Sequence, residues 1–306
     1  MADLGAAGVA LALFGGAIRA STPFLFVSLG ECLTELSGRI NLGLEGTLVC
    51  GAMSAYGAAL LSGSPWLGVL AAALVGALLG ALHAGLCSLK RVNDIAVGIA
   101  LMVLGTGLAF FFGKPLIQPR APMLPALHVC PTCQFAPLRA ALDINPLFLI
   151  GVALAFVLRW GLANTRPGLV LRTVGDSSEA ARAMGYAPLW VRLWATMAGG
   201  ALAGIGGAFL SLYYPGSWNE GLSSGQGLIA VALVIFARWR PLACLFASLL
   251  FGAAGALGPA LQSIGVHQGT YLFNAAPYAL TLAIMIVSAS RRGTRVSAPG
   301  ELGAMH

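Results

Sequence analysis

The stretch "VLAAALVGALLGAL", residues 69–82, has fourteen apolar positions in a row. A membrane-barrel strand would alternate apolar and polar residues over about ten positions. This run does not alternate, and neither does "ALTLAIMIV" at 279–287. The pattern therefore predicts helices that cross a bilayer, where every backbone polar group must be satisfied inside its own segment. The composition agrees. Hydrophobic residues make up 58% of the 306-residue chain and charged residues 9%. A soluble domain carries about 25% charge. The 41 glycines fit too, since glycine lets membrane helices approach closely.

Working outward from residue 69, ten apolar segments are expected. They run roughly over 5–20, 22–37, 42–61, 66–86, 94–113, 145–163, 189–213, 226–238, 242–261 and 270–289. Each is near the ~20 residues that a bilayer needs, though some are shorter. Glu31, Glu35 and Glu45 interrupt or border the second and third. Asp3 and the absence of basic residues before the first apolar run argue against a cleaved leader, so the first segment is expected to stay in the membrane.

Charge placement sets the orientation. With the N-terminus in the cytoplasm, inner stretches hold Arg39, Lys90, Arg91, Arg159, Arg166, Arg172, Arg182, Arg192, Arg238, Arg240, Arg291, Arg292 and Arg295. These are 13 of the 17 basic residues, the bias of a cytoplasmic side. Both termini are then expected in the cytoplasm. Because the basic residues are scattered between apolar runs, the net charge of +7 points to topology and not to nucleic acid. The expected plan is a transmembrane domain over 1–290 and a disordered cytoplasmic tail over 291–306. The domain carries a proline-rich outer loop at 114–144 and an inner loop at 164–188. Two halves of five segments would run in opposite senses, as in an inverted repeat. "NLGLEG" at 41–46 would then correspond to "EGLSSGQG" at 220–227.

The inner loop holds one polar stretch, "GDSSEAARAMGYAP", 175–188. Asp176 is placed to cap a helix, with Glu179 three residues on as its reciprocal partner. Ala180, Ala181, Ala183 and Met184 propagate the helix. Gly185 stops it, and Pro188 bars continuation. About eight residues make a marginal helix in water. It needs either a partner's groove against the shallow face of Ala180, Ala183 and Met184, or a resting place on the bilayer.

A cytoplasmic "EAA…G" of this kind resembles the coupling helix of ATP-binding cassette (ABC) importer permeases. Other blocks resemble the permeases of the branched-chain amino acid and monosaccharide group. They are "TPFLFVSLGECLTELSGRINLGLEG" (22–46), "GDSSEAARAMGY" (175–186), "AGGALAGIGGAFLSLYY" (198–214) and "GLIAVALVIFARWRP" (227–241). The "NLGLEG" form is most similar to the nucleoside and simple-sugar subgroup. The resemblance spans roughly residues 20–290, and "CPTC" in the outer loop departs from the pattern. It implies an all-α, type II ABC importer-like bundle in a bacterial inner membrane. The expected partners are an ATPase that binds ATP–Mg, a second permease subunit and an extracytoplasmic binding protein. Residues 175, 176, 179–181 and 183–185 would couple to the ATPase.

Other candidates stay open at this stage. Asn41, Gly43, Glu45, Gly46 and Gln226 would line a translocation path, or Glu45 would be an interfacial carboxylate paired with Arg39. An ionisable side chain inside the membrane costs about 2.5–3.5 kcal/mol on insertion scales. Trp218 and Glu220 lie where a binding protein would dock, and Trp218 could equally be an interfacial anchor. Cys130 and Cys133 are read first as a disulfide, then as free thiols, then as metal ligands; no metal site is expected. "GIGGA" at 204–208 reads as close helix packing. The chain lacks GxxxxGK[ST] and any catalytic cluster, so it is expected to be a conduit and not an enzyme, with no cofactor of its own. The rival reading is a secondary transporter driven by an ion gradient.

Overall fold

The computed structural model describes residues 6–89, 91–128, 136–262, 275–290 and 298–303. Its architecture is helical, apart from a two-residue ladder that pairs β1 (Leu127–His128) with β2 (Asp143–Ile144). The long helices are α1 (Ala6–Leu36), α2 (Leu44–Ser62), α3 (Pro65–Leu86), α4 (Asp94–Gly113), α6 (Pro146–Asn164), α9 (Pro188–Leu212) and α11 (Pro241–Gln262). These seven are long and apolar enough to cross a membrane. The shorter elements are α5 (Ala136–Ala141), α7 (Arg166–Asp176), α8 (Ser178–Ala183), α10 (Gln226–Phe236), α12 (Ala276–Ser290) and α13 (Gly300–Gly303).

The expected ten segments are corrected at the start of the chain. Ala6–Leu36 forms one continuous helix where two spans, 5–20 and 22–37, were expected. The expected boundary at residue 21 lies inside it, where Ser21 and Thr22 turn their hydroxyls back onto the Ile18 carbonyl, each at 2.9 Å. Proline is tolerated inside membrane helices where neighbouring helices surround it, and α1 runs through Pro23 packed on α9 and α11. At 31 residues α1 is about 46 Å long, more than the hydrocarbon core.

This correction bears on where α1 starts. The first half of α1 packs on the 114–144 loop: a Cβ at Gly15 would stand 2.8 Å from the Ala141 Cα. Its far end meets the 164–188 segment, where a Cβ at Gly175 would stand 2.1 Å from the Leu36 carbonyl oxygen. The start of α1 therefore lies on the 114–144 side. α13 lies on the other side, with Gly300 against the Asp176 carbonyl. The described ends fall on opposite faces, against the expectation of both on one. The expected disordered tail is also corrected over residues 300–303, which form a short docked helix.

α9 is the axle of the bundle. "GIGGA" does serve close packing: Cβ atoms at Gly200, Gly204 and Gly207 would stand 2.1–2.2 Å from carbonyl oxygens of Gly76, Ala72 and Leu48. No side chain fits there, so α2 and α3 touch α9 backbone to backbone. Phe24, Phe209 and Phe251 fill the interior beside them. Large exposed apolar side chains concentrate on α3, α4 and α6, as a surrounding hydrocarbon requires.

Candidate functional site

Two places draw the predicted residues together. The first is the short helix on the 164–188 side. Thr165 caps α7, its hydroxyl accepting from the Gly168 N–H at 3.3 Å. α7 then runs through Asp176, which is its last residue and not the cap of the next helix. Ser177 caps α8 instead, its hydroxyl accepting from the Ala180 N–H at 3.2 Å. The reciprocal carboxylate is not Glu179 either. Glu301 accepts from the Ser178 N–H at 2.7 Å and pairs with Arg192 at 3.0 Å. Arg192 also donates to the Ser37 carbonyl at 3.1 Å, so one arginine ties α1, α9 and α13 beneath α8.

Ala181 is fully buried against the bundle. Ala180 and Ala183 are exposed, and Met184 is 56% exposed. Gly185 ends the element at φ +83°, a left-handed conformation that suits glycine. The result is a capped, six-residue helix held rigidly from behind, with a small-residue face turned outward.

The second place lies deep in the bundle. Glu45 sits in the first turn of α2, and α10 begins opposite it. Its carboxylate accepts from the Ser223 hydroxyl at 2.5 Å, from the Gly225 N–H at 3.1 Å and from the Gly227 N–H at 2.6 Å. Two helix N-termini meet at this one negative charge, which their dipoles favour. Depth can be read along α4. A Cβ at Gly46 would touch the carbonyls of Leu101 and Met102. Met102 is eight residues, about 12 Å, into the 20-residue α4. Glu45 is thus near mid-depth and not one turn from an edge. Arg39 is not its partner: that guanidinium pairs with Asp94 at 2.5 Å.

The eighth expected segment is corrected here. α10 has 11 residues, about 16 Å, roughly half of a span. The chain before it enters the bundle without helix, burying Trp218, Leu222 and Ser223. Irregular backbone at such depth is tolerated where protein surrounds it or where it lines a cavity. Glu45 joins Thr106, Ser223, Ser224 and the exposed Glu220 around a cleft of about 660 Å³, whose apolar wall includes Val49, Met102 and Phe110.

Of the expected path residues, Glu45 alone lines that cleft. Asn41 is buried and makes a turn, its Oδ1 accepting from the Gly43 N–H at 2.9 Å. Gly43 and Gly46 pack on the α4 backbone. The Gln226 Oε1 is buried without a partner. Trp218 is not exposed as a docking residue would be: it is 2% exposed and packed on Gly113, the last residue of α4. Cys130 and Cys133 lie outside the described residues.

Sequence reasoning missed the roles of Glu31 and Glu35. Each is buried on α1. Glu31 accepts from the Asn41 N–H at 2.8 Å, and Glu35 accepts from the Trp239 indole. They pin the loops that precede α2 and follow α10, and their one-turn spacing was the available signal.

Comparison with known proteins agrees with this architecture. Residues 13–289 match the family described as the branched-chain amino acid transport system / permease component. The chain is 35% identical over 268 residues to a putative glucose ABC transporter permease protein of Haloferax volcanii, covering 84% of this chain and 80% of that one. It is 30% identical over 287 residues to the guanosine ABC transporter permease protein NupQ of Bacillus subtilis, covering 86% and 87%. It is also 30% identical over 286 residues to the nucleoside ABC transporter permease protein NupC of Lactococcus lactis, covering 87% and 88%. These relatives are membrane conduits and not enzymes. With a matched span of this length, the chain belongs to the family of branched-chain amino acid transport system permease components.

Proposed function

We propose that this permease subunit of an ABC importer carries nucleosides or related simple sugars across a bacterial inner membrane. The relatives named for guanosine, nucleosides and glucose support that substrate class. The outward face of α8 is the observation that carries the mechanism. Ala180, Ala183 and Met184 lie exposed on a helix whose back is fastened by Ala181, Glu301 and Arg192. A face of small residues admits a close partner surface, and a fastened back transmits displacement to α1 and α9.

In this reading the 164–188 side is cytoplasmic and the start of α1 is extracytoplasmic. A separate ATPase binds ATP–Mg and docks on α8. A second permease subunit completes the pore, and a binding protein delivers solute at the 114–144 side, near Glu220. The cleft at Glu45 lies on the path, where carboxylates and hydroxyls suit a polyhydroxylated solute. The meeting of the α2 and α10 N-termini supports an inverted-repeat plan.

Ala183→Arg tests this. A long charged side chain would enter a contact sized for a methyl group. An unpaired buried charge costs several kcal/mol, so the complex should weaken by orders of magnitude. Membrane insertion should survive, while uptake of labelled guanosine or glucose and co-purification of the ATPase should fail. Normal uptake with a retained ATPase would refute α8 as the coupling element.

A further inference from the structure

On the 164–188 side, α6, α7 and the start of α11 enclose a second cleft, of about 680 Å³. Arg159, Arg172 and Arg240 line it, and no Asp or Glu does. The positive-inside bias explains why arginines are on this side. It does not explain why three from separate segments converge on one cleft, or why they lack counter-ions. Arg39 is paired with Asp94 and Arg192 with Glu301. Among the described residues, none of the three cleft arginines has a carboxylate partner. Their remaining neighbours are apolar. Leu162, Leu242 and Phe246 wall the cleft, and Phe246 is 67% exposed.

The apolar wall continues into the membrane. Phe156 is 55% exposed one turn before Arg159 on α6, and Leu250 is 45% exposed one turn after Phe246 on α11. Helical spacing puts each on the face of its cleft residue. The site is therefore cationic at its base and greasy along its length. A free phosphate needs only the base, and an acidic protein segment has no use for a wall that rises along α6 and α11. A phospholipid uses both parts. Basic pockets between membrane helices on the cytoplasmic side suit anionic headgroups.

We propose that Arg159, Arg172 and Arg240 hold the headgroup of an anionic phospholipid whose acyl chains lie along the exposed apolar faces of α6 and α11. Because α7 leads directly into α8, the bound lipid braces the segment that presents the outward face of α8.

Native mass spectrometry of the full-length protein, titrated in mild detergent, tests the assignment. The probes are phosphatidylglycerol, phosphatidylcholine and inorganic phosphate. The wild type should bind phosphatidylglycerol at least tenfold tighter than phosphatidylcholine, and millimolar phosphate should not displace it. Each arginine contributes about fivefold. Arg240→Gln should therefore weaken phosphatidylglycerol about fivefold, and the triple Gln variant on the order of a hundredfold. The pair Arg166→Gln and Arg182→Gln, on the same side outside the cleft, should bind as wild type. The single variant keeps the test decisive if the triple variant misfolds.

Equal affinity for the two lipids would overturn the proposal, as would wild-type lipid binding by Arg240→Gln. Displacement by phosphate at concentrations where phosphate itself binds would assign the cleft to a free anion instead. Loss of ATPase co-purification with unchanged lipid binding would make it a protein contact.

Discussion

Replacing Glu45 by glutamine changes little in shape and reverses one hydrogen bond. The carboxylate accepts from three donors and donates to none: the Ser223 hydroxyl and Gly225 N–H on one oxygen, the Gly227 N–H on the other. An amide keeps one acceptor oxygen, which can hold Ser223 and Gly225. Its NH₂ then faces the Gly227 N–H, two donors head to head. Leaving one buried N–H unsatisfied costs about 1–3 kcal/mol. The surviving bonds lose their charge assistance, which roughly halves them.

This cost falls on the segment before α10, where Glu45 is the only side chain holding the Gly225 and Gly227 amides among the described residues. The rest of the bundle keeps its packing. Local opening should become easier by about tenfold to a hundredfold. Hydrogen exchange on peptides spanning 221–229 should show that loss of protection in Glu45→Gln, with exchange in α3 and α9 unchanged. Uptake should fall in parallel. Unchanged exchange at 221–229 would refute the carboxylate as the tether, and normal uptake with a loosened segment would remove it from the transport path.

Three further outcomes follow from the geometry on the 164–188 side and the helix contacts. Ser177→Ala removes the α8 cap and should cost about 1 kcal/mol locally, read as faster exchange at 178–184 and weaker ATPase retention. Burial pushes the Glu301 pKa up, but the hydrogen bonds from Ser178 and Arg192 outweigh it and hold the carboxyl below its usual range. Its stabilising contact should thus be full at neutral pH and be lost as pH falls through that depressed pKa; the acid-triggered rise in proteolysis of the C-terminal segment should vanish in Glu301→Gln, which is already released at pH 7. Gly200→Leu must force α9 off α3, since even a Cβ would stand 2.2 Å from the Gly76 carbonyl oxygen; monodisperse protein on size exclusion should be lost, whereas Gly85→Ala, with nothing within 4 Å of its Cβ, should behave as wild type.

What the sequence determined by itself was set by local demands. Fourteen apolar residues at 69–82 admit no solvent but lipid, and a bilayer admits them only as helix. The close-packed glycines of α9 were legible because a run such as "GIGGA" inside an apolar span has no better use. The short helix before Gly185 was legible because that stop signal is local chemistry. Its caps were only half legible. Ser177 lies one residue past the expected Asp176, and the reciprocal carboxylate comes from Glu301, 123 residues beyond Ser178.

Tertiary structure decided the remainder, because those answers depend on groups distant in sequence. Whether the chain breaks at Pro23 depends on what surrounds it, and α1 runs on through it packed against α9 and α11. That continuity puts the start of α1 on the 114–144 side. Trp218 reads as an exposed residue until the non-helical segment before α10 buries it against Gly113 at the end of α4. The depth and role of Glu45 were invisible because its three partners lie about 180 residues later in the chain. The cleft of Arg159, Arg172 and Arg240 exists only once α6, α7 and α11 converge. A charge in a membrane needs a partner wherever the fold brings one, and spacing along the chain carries no record of that meeting.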